Sequence, residues 1–152
     1  MHQYTENDWD DVITTNLKGI WLCMQNEIQY MLENSGGAIV NNSSAAGKRS
    51  WPRHPAYVVS KHGVIGLTRN TAREYAKDGI RVNAVCPGWI DTPMLDFLFE
   101  DVPERREKIS ASQPMERMGT PGEVSEAVLW LCSEGSSYIN GECLMVDGGQ
   151  TT

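Results

Sequence analysis

Three short apolar segments, separated by segments with helical periodicity, constrain the fold of this chain more than any other feature. They cover residues 38–42, 80–85 and 143–146. Short, mostly apolar segments of this kind are typical of buried strands in parallel sheets. Strands that alternate with helices along a chain form such a sheet, with helices on both of its faces. The sequence therefore predicts an α/β fold, namely part of a Rossmann-like, doubly wound parallel sheet.

Three long helices are predicted around these strands. The first follows a polar entry and carries apolar residues at near-3.6 spacing over about residues 8–34. The second covers residues 55–77, because a proline is tolerated at a first helical position and Gly79 can end the helix. The third opens with a capping box, Thr-Pro-Gly-Glu at residues 120–123, and runs to about residue 133.

Residues 88–119 are less regular and are predicted to form a lid, or substrate loop, with short helices near 93–100 and 103–112. The length of 152 residues is enough for one modest domain, so residues 1–152 are assigned to a single catalytic portion of a domain.

A parallel sheet of only three strands leaves an exposed edge, a hazard that proteins usually cover. We therefore expect another segment or another copy to lie against the first strand.

Charge and composition exclude several classes of partner. The net charge is −7 and the isoelectric point is about 4.9. An acidic chain is repelled by the phosphate backbone, so no nucleic-acid partner is expected. No apolar run approaches the ~20 residues of a membrane span, and the N-terminus is polar and acidic, so a cytoplasmic location is expected. Four widely spaced cysteines in apolar segments are interpreted as buried free thiols. They are Cys23, Cys86, Cys132 and Cys143.

A tyrosine and a lysine four residues apart carry the clearest chemical signal. Tyr57 and Lys61 share one face of the predicted second helix, and Ser44 precedes the tyrosine by thirteen residues. An ammonium beside a phenol, together with the positive end of the helix dipole, favours the phenolate. A nearby serine hydroxyl can hold a carbonyl oxygen while the tyrosine passes it a proton. By itself the Tyr-Lys spacing also fits an ordinary amphipathic helix.

Several segments together resemble the short-chain dehydrogenase/reductase family, and they occur in the family's order across essentially the whole chain. They are residues 16–19 (NLKG), 39–47 (IVNNSSAAG), 57–61 (YVVSK), 81–93 (RVNAVCPGWIDTP) and 146–149 (VDGG). The resemblance implies an NAD(P)-dependent oxidoreductase that interconverts a small-molecule alcohol and a carbonyl by hydride transfer. It implies no metal.

The resemblance also implies a role for each matching polar residue. Tyr57 is the expected acid and base, and Lys61 supports it and binds the nicotinamide ribose. Ser44, rather than Ser43, has the family's spacing to the tyrosine and is expected to stabilise the substrate oxygen. Asn16 is expected to hold a water molecule that extends a proton relay through Lys61. Without the resemblance, Asn16 is read as an interior polar residue satisfied by backbone groups.

The second strand end supplies the remaining expected contacts. The resemblance assigns Pro87, Gly88, Ile90 and Thr92 to the cofactor, together with Tyr57 and Lys61. It assigns substrate contacts to Ser44, Ala46, Trp89 and Met94, and Trp51, Leu95 and Phe97 are further candidates. Plain packing under the loop explains these apolar residues equally well.

The chain departs from the family pattern in one respect. The family begins with a strand and a TGxxxGxG loop that carries the cofactor pyrophosphate, and an Asn-Asn-Ala-Gly segment follows; neither occurs in residues 1–152. The site for NAD or NADP is therefore expected to be incomplete, and the chain impaired by itself. The alternative is a truncated, non-catalytic subunit or oligomerisation module. A homo-oligomer is expected through helices 8–34 and 55–77, with Trp21, Met24 and Met31 on the shared face.

Overall fold

Three parallel strands form a single sheet. The structure, a computed structural model, describes residues 1–99 and 104–152, and the backbone alone at residues 96–98. The strands follow one another across the sheet in the order of the sequence. They are β1 (Gly37–Asn42), β2 (Ile80–Pro87) and β3 (Cys143–Val146). The parallel α/β fold predicted from the sequence is confirmed.

The register places the carboxyl ends of neighbouring strands side by side. Asn42 at the end of β1 lies opposite Val85, and Pro87 at the end of β2 lies opposite Val146. The N–H of Ser43 extends the first pairing by a 2.9 Å bond to the carbonyl of Val85. The loops that follow β1 and β2 therefore start from the same edge of the sheet, where ligands bind in open α/β folds.

Six α-helices lie within the described residues. They are α1 (Glu6–Ile13), α2 (Gly19–Glu33), α3 (Pro55–Glu74), α4 (Pro93–Phe99), α5 (Glu104–Ser112) and α6 (Pro121–Cys132). Both predicted lid helices are present, although residues 100 and 103 at their predicted ends lie outside the described part. The predicted helix over 55–77 ends earlier, and a separate 3₁₀ turn occupies residues 76–78. Gly79 then takes the left-handed conformation, with φ 73°, that a helix end of this kind needs.

The predicted helix over residues 8–34 is continuous but not uniform. A π-helical turn at Thr14–Lys18 joins α1 to α2. Such a turn inserts an extra residue into the helical repeat and often marks a functional position. It changes which side chains face the core, and this shift is invisible to a search for a constant 3.6-residue period.

Helices cover both faces of the sheet. Alternate side chains of β2, beginning with Ile80 and Val82, pack with Ile39, Met24 and Ile28 in a buried cluster under α2 and α3. On the opposite face, Arg81 of β2 reaches α6 and donates to the carbonyl of Leu131 at 2.8 Å. The start of β2 therefore alternates, with apolar Ile80 and Val82 toward one covered face and polar Arg81 and Asn83 toward the other.

The capping box predicted at the start of α6 is present. The Thr120 hydroxyl accepts from the N–H of Glu123 at 3.3 Å, and Glu123 accepts from the N–H of Thr120 at 2.7 Å. Arg117 donates to the other carboxylate oxygen at 2.6 Å. The hydrogen bond from Arg117 and that from the Thr120 backbone lower the pKa of Glu123 to about 2. The carboxylate therefore stays ionised at the positive end of the helix.

The structure corrects two expectations about which side chains are covered. Cys86 and Cys143 are buried, but Cys23 and Cys132 are exposed, so only two of the four cysteines are core thiols. Met24 is buried and Met31 packs against the same cluster, so these methionines belong to the core rather than to a shared helix face. Helical spacing identifies an apolar stripe but not the surface that covers it.

One edge of the sheet is open. Among the described residues β1 pairs with β2 alone, so the other edge of β1 carries no partner strand. A groove beside this edge is bordered by α2, including Ile20 and Cys23.

None of the helices in residues 1–99 and 104–152 combines the length and the apolar composition needed to cross a bilayer.

Candidate active site

The first two turns of α3 hold the predicted tyrosine and lysine on one face. Pro55 occupies the first helical position, so Tyr57 lies in the first turn and Lys61 one turn later. The Lys61 Nζ atom lies 5.6 Å from the centre of the Tyr57 ring. It also donates a 3.0 Å hydrogen bond to the carbonyl of Asn42, the last residue of β1. The lysine therefore connects the tyrosine to the end of the first strand.

Burial changes the proton affinity of this lysine. Loss of hydration lowers the pKa of Lys61, and the neighbouring Cys86 acts in the opposite direction. Burial raises the pKa of the Cys86 thiol, which favours its neutral form. A lysine with a lowered pKa gives up its proton more readily than a solvated one, which suits a group that passes protons.

The two serines after β1 have different partners. The Ser43 side chain is buried and donates to the carbonyl of Lys61 at 2.9 Å, so it fastens the loop to α3. The Ser44 oxygen accepts from the N–H of Ala46 at 3.1 Å, which leaves its own hydroxyl proton available to another acceptor. Ser44 is half-buried. Of the two, Ser44 has the chemistry required to hold a carbonyl oxygen, and its role stays a prediction.

A close backbone approach holds this loop against α3. A Cβ atom added to Gly47 would lie 2.6 Å from the Ser43 hydroxyl and 2.8 Å from the carbonyl of Lys61. Both distances are shorter than a non-bonded contact allows, so only glycine fits here without displacing the loop. The position of Ser44 relative to α3 therefore depends on this glycine.

Asn16 lies within the π-helical turn and faces α3. Its Nδ2 atom is 3.5 Å from the hydroxyl of Ser60, which in turn donates to the carbonyl of Tyr57 at 2.8 Å. Asn16 is thus brought to the helix that carries the tyrosine and lysine, as its predicted role requires. Its contact with Ser60 is long for a hydrogen bond, and its side-chain oxygen has no bond to a described residue.

The segment after β2 is held by a short bridge to Gly119. The carbonyl of Trp89 accepts from the N–H of Gly119 at 2.9 Å, and the N–H of Asp91 donates to its carbonyl at 2.8 Å. In a parallel bridge of this pattern the N–H and C=O of the middle residue, Ile90, point to the opposite side. A peptide group held in this way can pair with a carboxamide, as the cofactor prediction for Ile90 requires.

The other cofactor candidates lie on the same segment. Gly88 donates to the carbonyl of Val146 at 3.1 Å, so Pro87 and Gly88 are tied to β3 through its backbone. Thr92 is half-buried and its carbonyl accepts from Leu95 at the start of α4. These assignments stay predictions. Within the described residues there is no group of three His, Cys, Asp or Glu side chains that could hold a metal ion.

The predicted substrate contacts divide into exposed and covered residues. Met94 is 69% exposed and Trp89 is half-buried, so both present surface to a ligand. Ala46 has no exposed surface, which argues against its predicted contact with substrate; it supports the turn through its N–H bond to Ser44. Leu95 is buried in a cluster with Phe99, and the side chain of Phe97 lies outside the described part.

Sequence reasoning missed three residues that position this site. Ser43 fastens the loop after β1, Ser60 lies between Asn16 and Tyr57, and Gly119 holds the segment around Ile90. Ser43 and Ser60 were visible inside family-like segments, yet no spacing rule distinguishes a positioning hydroxyl from a reacting one. Gly119 preceded an obvious capping box, but its pairing across 29 residues leaves no local sequence signal.

Comparisons with known proteins agree with this geometry. The family model described as enoyl-(acyl carrier protein) reductase matches residues 1–151. An A-factor type gamma-butyrolactone 1'-reductase from Streptomyces virginiae is 42% identical, over 99% of this chain and 59% of that protein. A 3-oxoacyl-[acyl-carrier-protein] reductase from Thermotoga maritima is 44% identical, over 95% of this chain and 57% of that protein.

Solved structures show the same fold. ElxO with NADP bound is 36% identical and gives a TM-score of 0.92, over 99% of this chain and 60% of that one. Thermoplasma acidophilum aldohexose dehydrogenase in ligand-free form is 36% identical, with a TM-score of 0.94, over 99% and 62%. The chain spans about three-fifths of the length of the relatives it matches. By its site residues, its fold and these matches, the chain belongs to the short-chain dehydrogenase/reductase family.

Proposed function

We propose that this chain is the catalytic portion of an NAD(P)-dependent oxidoreductase that interconverts an alcohol and a carbonyl. The observation that carries the proposal is the Lys61 ammonium, 5.6 Å from the Tyr57 ring centre and bonded to the end of β1 beside Ser44. This supports a site in which an acid, a cation and a hydrogen-bond donor act at one strand end. It is the apparatus for moving a proton to or from an oxygen atom.

In the direction of reduction, each residue acts on the carbonyl oxygen or on its proton supply. Ser44 donates a hydrogen bond to the oxygen and orients it. Tyr57 transfers its phenolic proton to the oxygen as negative charge develops there. Lys61 stabilises the phenolate that remains, and its lowered pKa lets it pass a proton onward. Asn16 holds the water that returns a proton to Lys61. In the direction of oxidation the same steps run in reverse.

The residues present fit the nicotinamide end of the cofactor. The free peptide group of Ile90 suits the carboxamide, Thr92 adds a hydroxyl, and Lys61 lies where a ribose hydroxyl is expected. A nicotinamide held by these residues would supply or accept the hydride at the substrate carbon. No glycine-rich loop that could bind the pyrophosphate occurs in residues 1–152, so the chain alone holds only part of the nucleotide. This supports weak binding of NAD(H) or NADP(H) by the isolated chain.

A fusion protein tests this proposal. The opening segment of the family, taken from the Thermotoga maritima relative, is joined ahead of Met1, and NADH or NADPH oxidation is followed with a panel of neutral ketones. We expect carbonyl-dependent oxidation by the fusion. The isolated chain is expected to show negligible turnover and, in a fluorescence titration, no saturation at micromolar NADPH, because the pyrophosphate contacts are missing.

Two results contradict the proposal in different ways. A folded fusion that binds NADPH but reduces no carbonyl refutes the assignment of alcohol/carbonyl chemistry. Tight NADPH binding by the isolated chain refutes the expectation of an incomplete nucleotide site. Circular dichroism of both proteins shows whether each is folded before either result is interpreted.

A role in assembly is the second candidate function, and a specific surface favours it. Apolar side chains remain exposed along α2 and on the neighbouring face of α3, beyond what core packing uses. They are Trp21, Leu22, Tyr30, Leu32 and Val59, each at least 42% exposed. Large apolar residues that stay exposed on two neighbouring segments of a fold favour an interface where they form a patch. We propose that α2 and α3 pack against a second copy of the chain.

Light scattering measures this assembly directly. We expect the chain to be at least dimeric, and Leu22→Glu with Tyr30→Glu to shift it to a smaller species, because buried charges destabilise an apolar interface. Tyr138→Glu is the matched control, since Tyr138 is fully exposed in the turn before β3, away from α2. A monodisperse monomer before substitution, or an equal effect of the control, contradicts this interface.

A further inference from the structure

Two tryptophans connect the loops that carry the candidate active site. Trp51 belongs to the loop after β1, which also holds Ser44, and Trp89 belongs to the segment after β2. Their ring centres lie 5.1 Å apart with an angle of 61° between the planes, an edge-to-face arrangement. This tryptophan pair (Trp51 and Trp89) therefore joins the two loops that follow β1 and β2 at the carboxyl edge of the sheet.

Trp89 is supported by a neighbouring apolar cluster. The Trp89 ring lies 6.2 Å from the Phe99 ring and packs against a buried cluster that also contains Leu95 and Met118. The bridge from Gly119 to Trp89 holds its backbone. Both tryptophans are nevertheless only half-buried, so part of each ring remains uncovered. A rigid aromatic surface with an uncovered face is what a flat ligand requires.

Three of the four charged side chains on these two loops bond to the protein itself. Lys48 donates to the carbonyl of Cys143 at 2.6 Å, and Arg49 donates to the carbonyl of Thr151. Asp91, two residues after Trp89, forms an ion pair with Arg106. The charges of Lys48, Arg49 and Asp91 are thus directed toward the protein rather than toward a ligand. Arg53 is exposed, and its effect on an anionic ligand can be tested separately.

We propose that the substrate is an uncharged aryl ketone, or the matching aryl alcohol, whose ring stacks on the tryptophan pair while its oxygen meets Tyr57 and Ser44. The inference rests on the proposed oxidoreductase function and specifies its substrate class. Met94 is 69% exposed on α4 and offers an unbranched thioether, a group that adapts to aromatic surfaces. An aliphatic ketone of equal size fills the same space without the ring-to-ring interaction.

Ligand-observed NMR of the chain tests the ring preference without any turnover. Acetophenone and cyclohexyl methyl ketone have the same number of heavy atoms and differ in the ring alone. We expect acetophenone to bind about fivefold more tightly. The preference should disappear in Trp51→Leu and persist in Trp51→Phe, which retains an aromatic ring. Trp130→Leu, on α6, is the matched control and should retain it.

Several results overturn the inference. They are equal binding of the two ketones, no saturable binding of either ketone at millimolar concentration, and an equal loss of the ring preference in Trp51→Leu and Trp130→Leu. Tighter binding of phenylglyoxylate than of acetophenone overturns the uncharged part of the proposal and points to Arg53. NADPH oxidation by the fusion protein reports separately on the oxidoreductase function. A ring preference without turnover removes that function, and turnover without a ring preference removes only the substrate class.

Discussion

Replacement of Tyr57 by phenylalanine should lower the turnover of the fusion protein by about 10²–10⁴-fold, the usual contribution of a positioned general acid. The substitution removes only the phenolic oxygen and leaves the ring beside Lys61. Because the chemical step needs a proton at the substrate oxygen, we expect the loss in kcat rather than in KM. Steady-state NADPH oxidation with a neutral ketone measures both constants.

Stability separates this chemical effect from a structural one. The Tyr57 hydroxyl has no hydrogen bond to any described residue, so Tyr57→Phe should leave the free energy of unfolding within about 0.5 kcal/mol of the unchanged protein. Tyr138→Phe serves as the control, since Tyr138 is fully exposed and far along the chain. Retained turnover in Tyr57→Phe removes the tyrosine from the mechanism. A large loss of stability shows that its role is structural.

Replacement of Asn83 by leucine should have the largest effect on stability. Asn83 is completely buried in β2, donates to the carbonyl of Ile139 at 2.9 Å and accepts from the N–H of Glu142 at 2.9 Å. Leucine has similar volume but leaves both backbone groups without partners. At roughly 1–3 kcal/mol for each unsatisfied group, we expect a loss of about 3 kcal/mol. In a chain of this size that lowers Tm by about 10 °C.

Thermal unfolding of the isolated chain measures this loss, and Asn26→Leu is the matched control. The side chain of Asn26 is exposed on α2 and bonds only to the carbonyl of Leu22 within its own helix. The control should stay within about 0.5 kcal/mol. If Asn83→Leu unfolds at the same temperature as the control, the turn from Ile139 to Glu142 does not depend on Asn83.

Most of the fold could be predicted because its signals are local. Each strand is a short apolar run, and the Thr120–Glu123 capping box and Gly79 mark helix ends through contacts within a few residues. The order of these elements then left a parallel sheet as the simplest arrangement. The π-helical turn at Thr14–Lys18 escaped prediction because no composition rule distinguishes it from α-helix.

The sequence predicted the candidate site residues but not the residues that position them. Tyr57, Lys61 and Ser44 followed from their spacing and from the family resemblance. Ser43, the same residue type one position earlier, donates its hydroxyl to the carbonyl of Lys61. Only a folded chain brings these groups together, since 18 residues separate them and no rule of spacing reports on that contact.

The sequence by itself determined the strands, the long helices, their order and the candidate residues for proton transfer, because those depend on local periodicity and on motifs. The tertiary structure decided which apolar residues are core. It buried Met24 and exposed Cys23 on the same helix, since burial depends on what lies opposite each face. It also brought Trp51 to Trp89 and left one edge of β1 open. These features depend on how segments far apart in the sequence pack together, and no local sequence pattern indicates that packing.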